Sequence, residues 1–293
     1  MYSITTEQQQ FLTYILADET AGTRLEVVPE RGGLITRWFV EGESLLYMDE
    51  NRFADPAMSV RGGVPILFPI CGNLPDDSYR LHDQTFHLKQ HGFARTLPWQ
   101  VDDAASEASA EGASLVLSLQ SSDETRSHYP FEFKLVFTYR LQGRSLIIHQ
   151  QVMNQGDEPL PFSLGLHPYF AVADKSQLQF QIPATELIDQ INRTSHPFQN
   201  QFDFEMDEID VIFPDLSSQQ ATVVDLNAQT QLIFEADPYF SAMVFWTVKG
   251  KDYYCLEPWS APRNSLNTGD RLTLLPPQSA LETTFSLQLN PLR

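Results

Sequence analysis

Hydrophobic and polar residues alternate one by one in short segments along the whole chain. The clearest cases are SLVLSLQ at 114–120, FEFKLVFTYRL at 131–141 and TTFSLQL at 283–289. Because successive side chains of a β-strand point to opposite faces of a sheet, each segment presents one apolar and one polar face, which is typical of half-buried antiparallel strands. Helical periodicity is scarce. The pattern therefore predicts an all-β chain.

Further strand candidates are bounded by Gly, Pro, Asn and Asp, which favour turns. They are RLEVVP near Leu25, SLIIHQQVM near Ile147, QLQFQIP near Phe180, ATVVDL near Val223, QLIFEA near Ile233 and SAMVFWTV near Val244. The sequence has no repeat of fixed period, which argues against a propeller or solenoid. We expect a single domain over residues 1–293, with 101–112 and 188–217 as loops within it. The second is long enough to form part of a binding cleft.

Composition and charge limit the partners of such a domain. Hydrophobic residues make up 42% of the chain and charged residues 19%, which is enough apolar surface for a large core. The formal net charge is −19 and the acidic residues are scattered, so we expect neither nucleic acid nor a membrane as partner. The N-terminus lacks a signal-peptide pattern, and no segment approaches the ~20 apolar residues of a membrane span. We expect a cytoplasmic protein.

Several kinds of site are disfavoured by spacing. The two cysteines, Cys71 and Cys255, do not form a CxxC pair, so buried free thiols are expected instead of a zinc site or a disulfide. The histidines show no HxH or HExxH spacing. A GxSxG elbow and a Gly-rich phosphate loop that opens a helix are also missing from the sequence. We therefore predict no metal and no cofactor.

Three ionisable residues lie in segments dense with Pro, Gly and aromatic residues. These are His91 in HGFAR, His167 in GLHPYF and Glu257 in CLEPW. Histidine readily donates or accepts a proton near pH 7, and a glutamate beside aromatic residues can be tuned to act as acid or base. One acid and one base are sufficient to open a hemiacetal. Taken singly, each of the three is more commonly a hydrogen-bonded structural residue.

Four sequence blocks follow one another in a characteristic order. They are RGGVPILFPICGNLP at 61–75, HGFAR at 91–95, GLHPYF at 165–170 and CLEPWSAPRNSLN at 255–267. Together they resemble the aldose 1-epimerase (galactose mutarotase-like) superfamily, and most closely its glucose-6-phosphate 1-epimerase-like branch. The resemblance implies a galactose mutarotase-like β-supersandwich of antiparallel sheets, with few short helices and an open cleft for a hexopyranose.

The resemblance also implies roles for individual residues. Glu257 would be the general base that takes the proton of the anomeric hydroxyl, and His167 the general acid that protonates the ring oxygen. His91 would hydrogen-bond the ring oxygen or a neighbouring hydroxyl. Asp210 resembles the family's sugar-contacting aspartate, with Asp207 as the alternative.

Arginines and tryptophans complete the expected site. In the sugar-phosphate branch, the positions of Arg61 and Arg95 point toward a phosphate, which a guanidinium fork matches well; a structural salt bridge is the alternative. Residues 68–75 depart from the aromatic-rich continuation expected of that branch, so free sugar and sugar 6-phosphate both stay open as substrates. Trp259 and Trp246 are candidates for stacking on a pyranose, with core packing as the alternative.

The function that this resemblance implies is interconversion of the α and β anomers of a hexopyranose or hexose 6-phosphate, by an isomerase that acts as a monomer or weak dimer. The alternative is a carbohydrate-binding β-sandwich without catalysis. For the reaction we expect Glu257 to be ionised and the pKa of His167 to be normal or raised. A bell-shaped pH profile would result.

Overall fold

Antiparallel β-strands dominate the computed structural model of the protein, which describes residues 1–292. The strands of the first half are β1 (Tyr2–Gln8), β2 (Leu12–Asp18), β3 (Thr23–Val28), β4 (Leu34–Val40), β5 (Glu43–Ser44), β6 (Ile66–Leu67), β7 (Ser78–Leu81), β8 (Gln84–His87), β9 (Gln100–Val101), β10 (Glu107–Ala108), β11 (Ala113–Gln120), β12 (Phe133–Gln142) and β13 (Ser145–Asn154). Those of the second half are β14 (Leu160–Phe162), β15 (Gly165–Leu166), β16 (Tyr169–Ala171), β17 (Leu178–Gln181), β18 (Glu186–Asp189), β19 (Ser195–Pro197), β20 (Glu208–Phe213), β21 (Gln220–Asp225), β22 (Thr230–Ala236), β23 (Ala242–Val248), β24 (Tyr253–Trp259), β25 (Thr273–Leu275) and β26 (Ala280–Pro291).

Helices are short and lie between strands. They are α1 (Glu50–Ala54), α2 (Asp123–His128) and α3 (Ser265–Thr268), with 3-10 turns at Pro29–Arg31, Pro75–Asp77 and Lys175–Gln177. No helix within residues 1–292 has the length and apolar character needed to cross a lipid bilayer.

Three large sheets contain most of the strands. A five-stranded sheet has the order β1-β2-β3-β4-β5. A nine-stranded sheet has the order β10-β11-β12-β13-β26-β22-β21-β17, with β9 also paired to β11, and an eight-stranded sheet has the order β19-β18-β20-β23-β24-β15-β6, with β16 also paired to β24. Two smaller pairs, β7-β8 and β14-β25, complete the set. The paired strands are antiparallel throughout, so the predicted all-β fold class is confirmed.

The strands predicted from alternation are confirmed. β12 alternates buried and partly exposed residues along most of its length, and it pairs with β11 on one side and β13 on the other. In this register Leu135 lies between Leu119 and Val152, and all three are buried. The period-2 pattern thus predicted the strand and also its buried face.

The main hydrophobic core joins the three large sheets. Phe137 of the nine-stranded sheet, Trp38 of the five-stranded sheet and Phe245 of the eight-stranded sheet belong to the same buried cluster. Along β23, Phe245 faces this core, whereas Val244 and Trp246 point to the opposite face of the sheet. The eight-stranded sheet therefore has one face on the core and a second face free to build a site.

The prediction that residues 188–217 form a loop is wrong. This segment contains β19 and β20 and begins within β18, and all three strands belong to the eight-stranded sheet. Within β20, Glu208 and Asp210 alternate with Ile209 and Val211, so this strand has an acidic face. Residues 101–112 are nearer to the expectation, since they contain only β10 and the end of β9.

Candidate active site

The free face of the eight-stranded sheet forms the floor of a pocket of about 230 Å³. The strand register places Asp210 of β20 beside Trp246 of β23, and Val244 of β23 beside Glu257 of β24. Because alternate residues of a strand share a face, these four side chains line the same cavity. Neighbouring strands thus bring together residues that are distant in sequence.

The sheet register also sets the contact between His167 and Glu257. β16 pairs with β24 so that Tyr169 lies beside Cys255, and β15 keeps the same register on the other side of a short gap. His167 lies in that gap, opposite Glu257. Its Nε2 is 3.2 Å from Glu257 Oε1. The predicted acid and base are therefore cross-strand neighbours in direct contact.

Glu257 is held in a dry and fixed position. Its side chain is 1% exposed, and its Oε2 accepts a hydrogen bond from Trp259 Nε1 over 3.0 Å. Burial raises the pKa of Glu257 well above its usual value, while the bond from Trp259 and the charges of Arg263 and Arg95 act in the opposite direction. The carboxyl group is thus tuned to hold a proton more strongly than a surface glutamate.

The pKa of His167 shifts in the opposite direction from our expectation. Burial and then the nearby charge of Arg95 lower its pKa to about 3, so the expected normal or raised pKa is wrong for the resting pocket. The ring stacks on Tyr169 with 4.7 Å between ring centres and 11° between planes. Burial thus shifts both pKa values toward the neutral forms, an imidazole beside a protonated Glu257, which differs from the carboxylate expected for Glu257.

His91 lies at the edge of the same pocket, and its hydrogen bond with Gly72 shows which ring nitrogen carries the hydrogen. Its Nδ1 accepts the backbone N–H of Gly72 over 3.1 Å, and its own backbone N–H donates to the Gly72 oxygen over 2.7 Å. The neutral ring therefore carries its hydrogen on Nε2. Burial lowers the pKa of His91 well below its usual value, and its ring centre is 5.4 Å from that of His167. His91 is a neutral hydrogen-bond donor.

Two of the pocket's cations have no carboxylate partner. The guanidinium of Arg61 lies 6.0 Å from the Trp246 ring centre, and Arg95 Nη2 donates to the Gln90 carbonyl oxygen over 2.8 Å. Neither side chain forms an ion pair with any residue in 1–292. The structural salt bridge considered as their alternative role is therefore not observed.

Asp210 is the aspartate that the structure places in the pocket. Its side chain lines the cavity, where Arg263 Nη2 donates to its Oδ2 over 3.1 Å and Gln190 Nε2 donates to its Oδ1 over 2.7 Å. Asp207 is exposed and precedes β20. Between the two aspartates left open by the sequence, the geometry favours Asp210.

Known proteins share this fold and sequence over almost the whole chain. The family model described as aldose 1-epimerase matches residues 16–287. This chain belongs to the aldose 1-epimerase family. The crystal structure of the Slr1438 protein from Synechocystis sp. PCC 6803 is 43% identical to it, with a TM-score of 0.94 over 99% of this chain and 100% of that one.

Two further relatives extend the aldose 1-epimerase comparison. A galactose mutarotase-like protein from Clostridium acetobutylicum has a TM-score of 0.84 at 20% identity over 99% of both chains, which shows the fold. A protein of Salmonella typhimurium named "Putative glucose-6-phosphate 1-epimerase" is 28% identical over 163 residues, or 55% of this chain and 50% of that protein. The predicted superfamily and its galactose mutarotase-like fold are confirmed.

Arg263 is a pocket residue that the sequence analysis missed. Arg263 lies in the sequence block at 255–267, which identified the motif but did not indicate a role for its arginine. Glu208 was missed too; its Oε1 accepts a hydrogen bond from Trp246 Nε1 over 2.7 Å. The sequence signal that could have indicated Glu208 is the alternation of acidic and apolar residues along β20.

One group of metal-ligand types occurs among the residues that the structure describes. One nitrogen of His167, the sulfur of Cys255 and one carboxylate oxygen of Glu257 lie within 4.8 Å of one another. Burial raises the pKa of the Cys255 thiol, whereas a metal thiolate must be deprotonated. The direct contact between His167 and Glu257 already engages an atom of each. This chemistry favours proton sharing over metal coordination.

Proposed function

We propose that this protein interconverts the α and β anomers of a hexopyranose or hexose 6-phosphate by acid/base ring opening and reclosure. Its membership in the aldose 1-epimerase family supports isomerase activity in general. The observation that carries the proposal is the contact of 3.2 Å between His167 and Glu257 inside a pocket whose size suits one pyranose. Burying two ionisable groups against each other costs free energy, and proton transfer to and from a sugar is a use for that arrangement.

The reaction moves one proton through the sugar. Glu257 as carboxylate takes the hydrogen of the anomeric hydroxyl, while His167 as imidazolium gives its hydrogen to the ring oxygen. The C1–O5 bond breaks and C1=O forms. Rotation about C1–C2 and the reverse transfers then close the other anomer. Each group contributes roughly 10²–10⁴-fold.

The protonation states of the buried pair fit this cycle. Carboxylate with imidazolium, before ring opening, and carboxyl with imidazole, after it, both carry a single proton. Burial favours the second form, because it disfavours the charged form of Glu257 and of His167. The ring-opened stage thus returns both groups to the neutral state that the pocket prefers.

The remaining predicted residues take supporting roles in this proposal. His91 donates its Nε2 hydrogen to the ring oxygen or an adjacent hydroxyl, and Asp210 accepts from sugar hydroxyls. Trp259 is 2% exposed and its indole N–H is bonded to Glu257. We therefore assign Trp259 to orienting the base, and stacking on the pyranose to the more exposed Trp246.

The variant E257Q tests the base directly. Glutamine keeps the shape of the side chain and cannot accept a proton at physiological pH, so anomer interconversion should fall by at least about 10²-fold while sugar binding persists. Polarimetry of freshly dissolved α-glucose or its 6-phosphate measures the rate. D207N, at an exposed aspartate outside the pocket, is the control. Wild-type rates in E257Q would contradict the role of Glu257, and an inactive wild type that binds sugar would indicate the carbohydrate-binding alternative.

We propose further that the preferred substrate carries a 6-phosphate. The support is the pair of cations, Arg61 and Arg95, that have no carboxylate partner in residues 1–292, and the name of the Salmonella relative. A second cavity of about 950 Å³ adjoins the pocket and shares Arg95 with it, so the substrate has room on that side.

Exchange between anomers followed by NMR tests this preference. R61Q and R95Q should each lower kcat/KM for glucose 6-phosphate by about 10- to 100-fold more than kcat/KM for glucose, the difference expected for one charge-assisted hydrogen bond to the phosphate. R140Q, at an arginine of β12 outside the pocket, is the control. Equal losses for both sugars, or a wild type that prefers glucose, would overturn the phosphate assignment.

A further inference from the structure

Asp210 and Arg263 of the pocket wall form a closed ring of hydrogen bonds with Gln190. Gln190 Nε2 donates to Asp210 Oδ1 over 2.7 Å, and Arg263 Nη2 donates to Asp210 Oδ2 over 3.1 Å. Arg263 Nε closes the ring by donating to Gln190 Oε1 over 2.7 Å. Each side chain contacts both of the others, so none can rotate without breaking two bonds.

The ring is attached to the backbone and to a further side chain. The backbone N–H of Gln190 donates to the Asp210 carbonyl oxygen over 2.8 Å, and Arg263 Nη1 donates to Asn73 Oδ1 over 3.3 Å. Gly72 packs against Arg263 so closely that a Cβ at this glycine would lie 2.5 Å from Arg263 Cβ. This close approach fixes the start of the Arg263 side chain.

The charge of Arg263 acts on Asp210. The Asp210 side chain is only 19% exposed. Burial raises its pKa, while the charge of Arg263 and the hydrogen bonds from Gln190 and Arg263 lower it. An ionised carboxylate offers lone pairs on both oxygens to sugar hydroxyls, whereas a protonated carboxyl group loses one acceptor site.

We infer that Arg263 is a positioning residue of this site: with Gln190, it holds the Asp210 carboxylate in the orientation that accepts hydrogen bonds from the sugar hydroxyls. The inference rests on the proposed function, in which Asp210 contacts the sugar. Arg263 acts through Asp210 and need not touch the substrate.

Three variants test the inference through the pH dependence of kcat/KM. R263Q removes the charge, R263K keeps it without the fork, and Q190L removes one hydrogen bond to Asp210. R263Q should lower kcat/KM by about 10- to 100-fold and move the acid limb to higher pH, because the Arg263 charge lowers the pKa of Asp210 and of Glu257, and both then bind a proton more readily. R263K should keep the wild-type limb and recover part of the loss. Q190L should raise KM and also move the acid limb to higher pH, because the hydrogen bond from Gln190 lowers the pKa of Asp210.

The outcomes distinguish positioning from a purely structural role. If R263Q and R263K lose equal activity and the acid limb of the pH profile is unchanged in both, the inference is overturned. If R263Q fails to fold, R263K and Q190L decide: a shift of the acid limb in R263K, or no change of KM in Q190L, would overturn it.

A readout without catalysis separates this inference from the proposed function. In protein labelled with ¹³C at aspartate carboxyl groups, the resonance missing from D210N should titrate at higher pH in R263Q than in wild type. An inactive wild type with this shift would refute the proposed function and leave Arg263 as the residue that holds Asp210. An unchanged titration in an active enzyme would refute the inference alone.

Discussion

Within the window from about pH 4.3 to about pH 6.5, folding of the chain changes the number of protons bound by Glu257 and His167 little. In the unfolded chain they return to pKa values of about 4.3 and about 6.5, so between these values the unfolded pair carries one proton, as the folded pair does. Above the window the unfolded pair has lost its proton, and below it the unfolded pair has gained a second. Stability contributed by the pair therefore falls on both sides of the window.

The double variant H167Q/E257Q should remove this dependence. Relative to the variant, wild type should lose unfolding free energy on each side of the window, by up to about 1.4 kcal/mol per pH unit where folded and unfolded pairs differ by one proton. Urea unfolding at about pH 4, 5.5 and 8 measures the difference, and titratable groups distant from the two substituted positions cancel. A difference that is constant with pH would contradict the shared proton.

At the scale of elements, the turn that carries His91 depends on a close backbone approach. Gly92 has φ of +69°, and a Cβ there would lie 2.2 Å from the carbonyl oxygen of Phe68. That oxygen also accepts the backbone N–H groups of Phe93 and Ala94 over 3.0 and 3.2 Å. The turn is thereby fixed to the segment 66–71 that runs beside the pocket.

G92A should destabilise the protein by more than about 2 kcal/mol, because alanine adds a clash to an unfavourable left-handed conformation. G250A is the matched control: Gly250 has φ of +70° with nothing within 4 Å of a Cβ, so only the conformational cost of about 1 kcal/mol applies. Denaturant unfolding compares the two. Equal losses would show that the contact with Phe68 is unimportant.

The strands differ in how well the sequence predicts them. β12 was predicted from its apolar alternation, whereas β20 was not, because Glu208 and Asp210 make its polar face acidic and resemble a loop. The polar face of β20 lines the pocket, and the acidic residues that build the pocket there made the strand look like a loop in the sequence. Likewise, Arg263 could not be assigned from spacing, since its partners Gln190 and Asp210 come from other strands and their connections.

At the scale of the whole molecule, alternation predicts strands and faces but leaves the pairing of distant strands undetermined. β13 pairs with β26, which is more than a hundred residues away in sequence. The resemblance carried by four sequence blocks therefore predicted the sheets' arrangement, which periodicity did not. The register of β24 against β16, which sets the contact of His167 with Glu257, is known only from the structure.

The net charge of −19 leads to a prediction for the whole molecule. Acidic side chains scattered over the surface repel one another, which destabilises the compact state at low ionic strength. Raising NaCl from about 10 mM to about 150 mM shortens the Debye length from about 30 Å to about 8 Å and should raise Tm by a few degrees. Calorimetry measures this shift. A lower Tm in salt would show that attractive ion pairs outweigh the repulsion.

The location of Glu257 on β24 also has a consequence for the dynamics of the site. β24 lies between β23 on one side and β15 and β16 on the other, so its amides are enclosed on both edges. Such amides exchange with solvent deuterium only through large openings of a protein, whereas loops exchange through local fluctuations. The Glu257 carboxyl group should therefore keep its position while the surrounding loops fluctuate. On heating, the site should be lost only when the eight-stranded sheet unfolds.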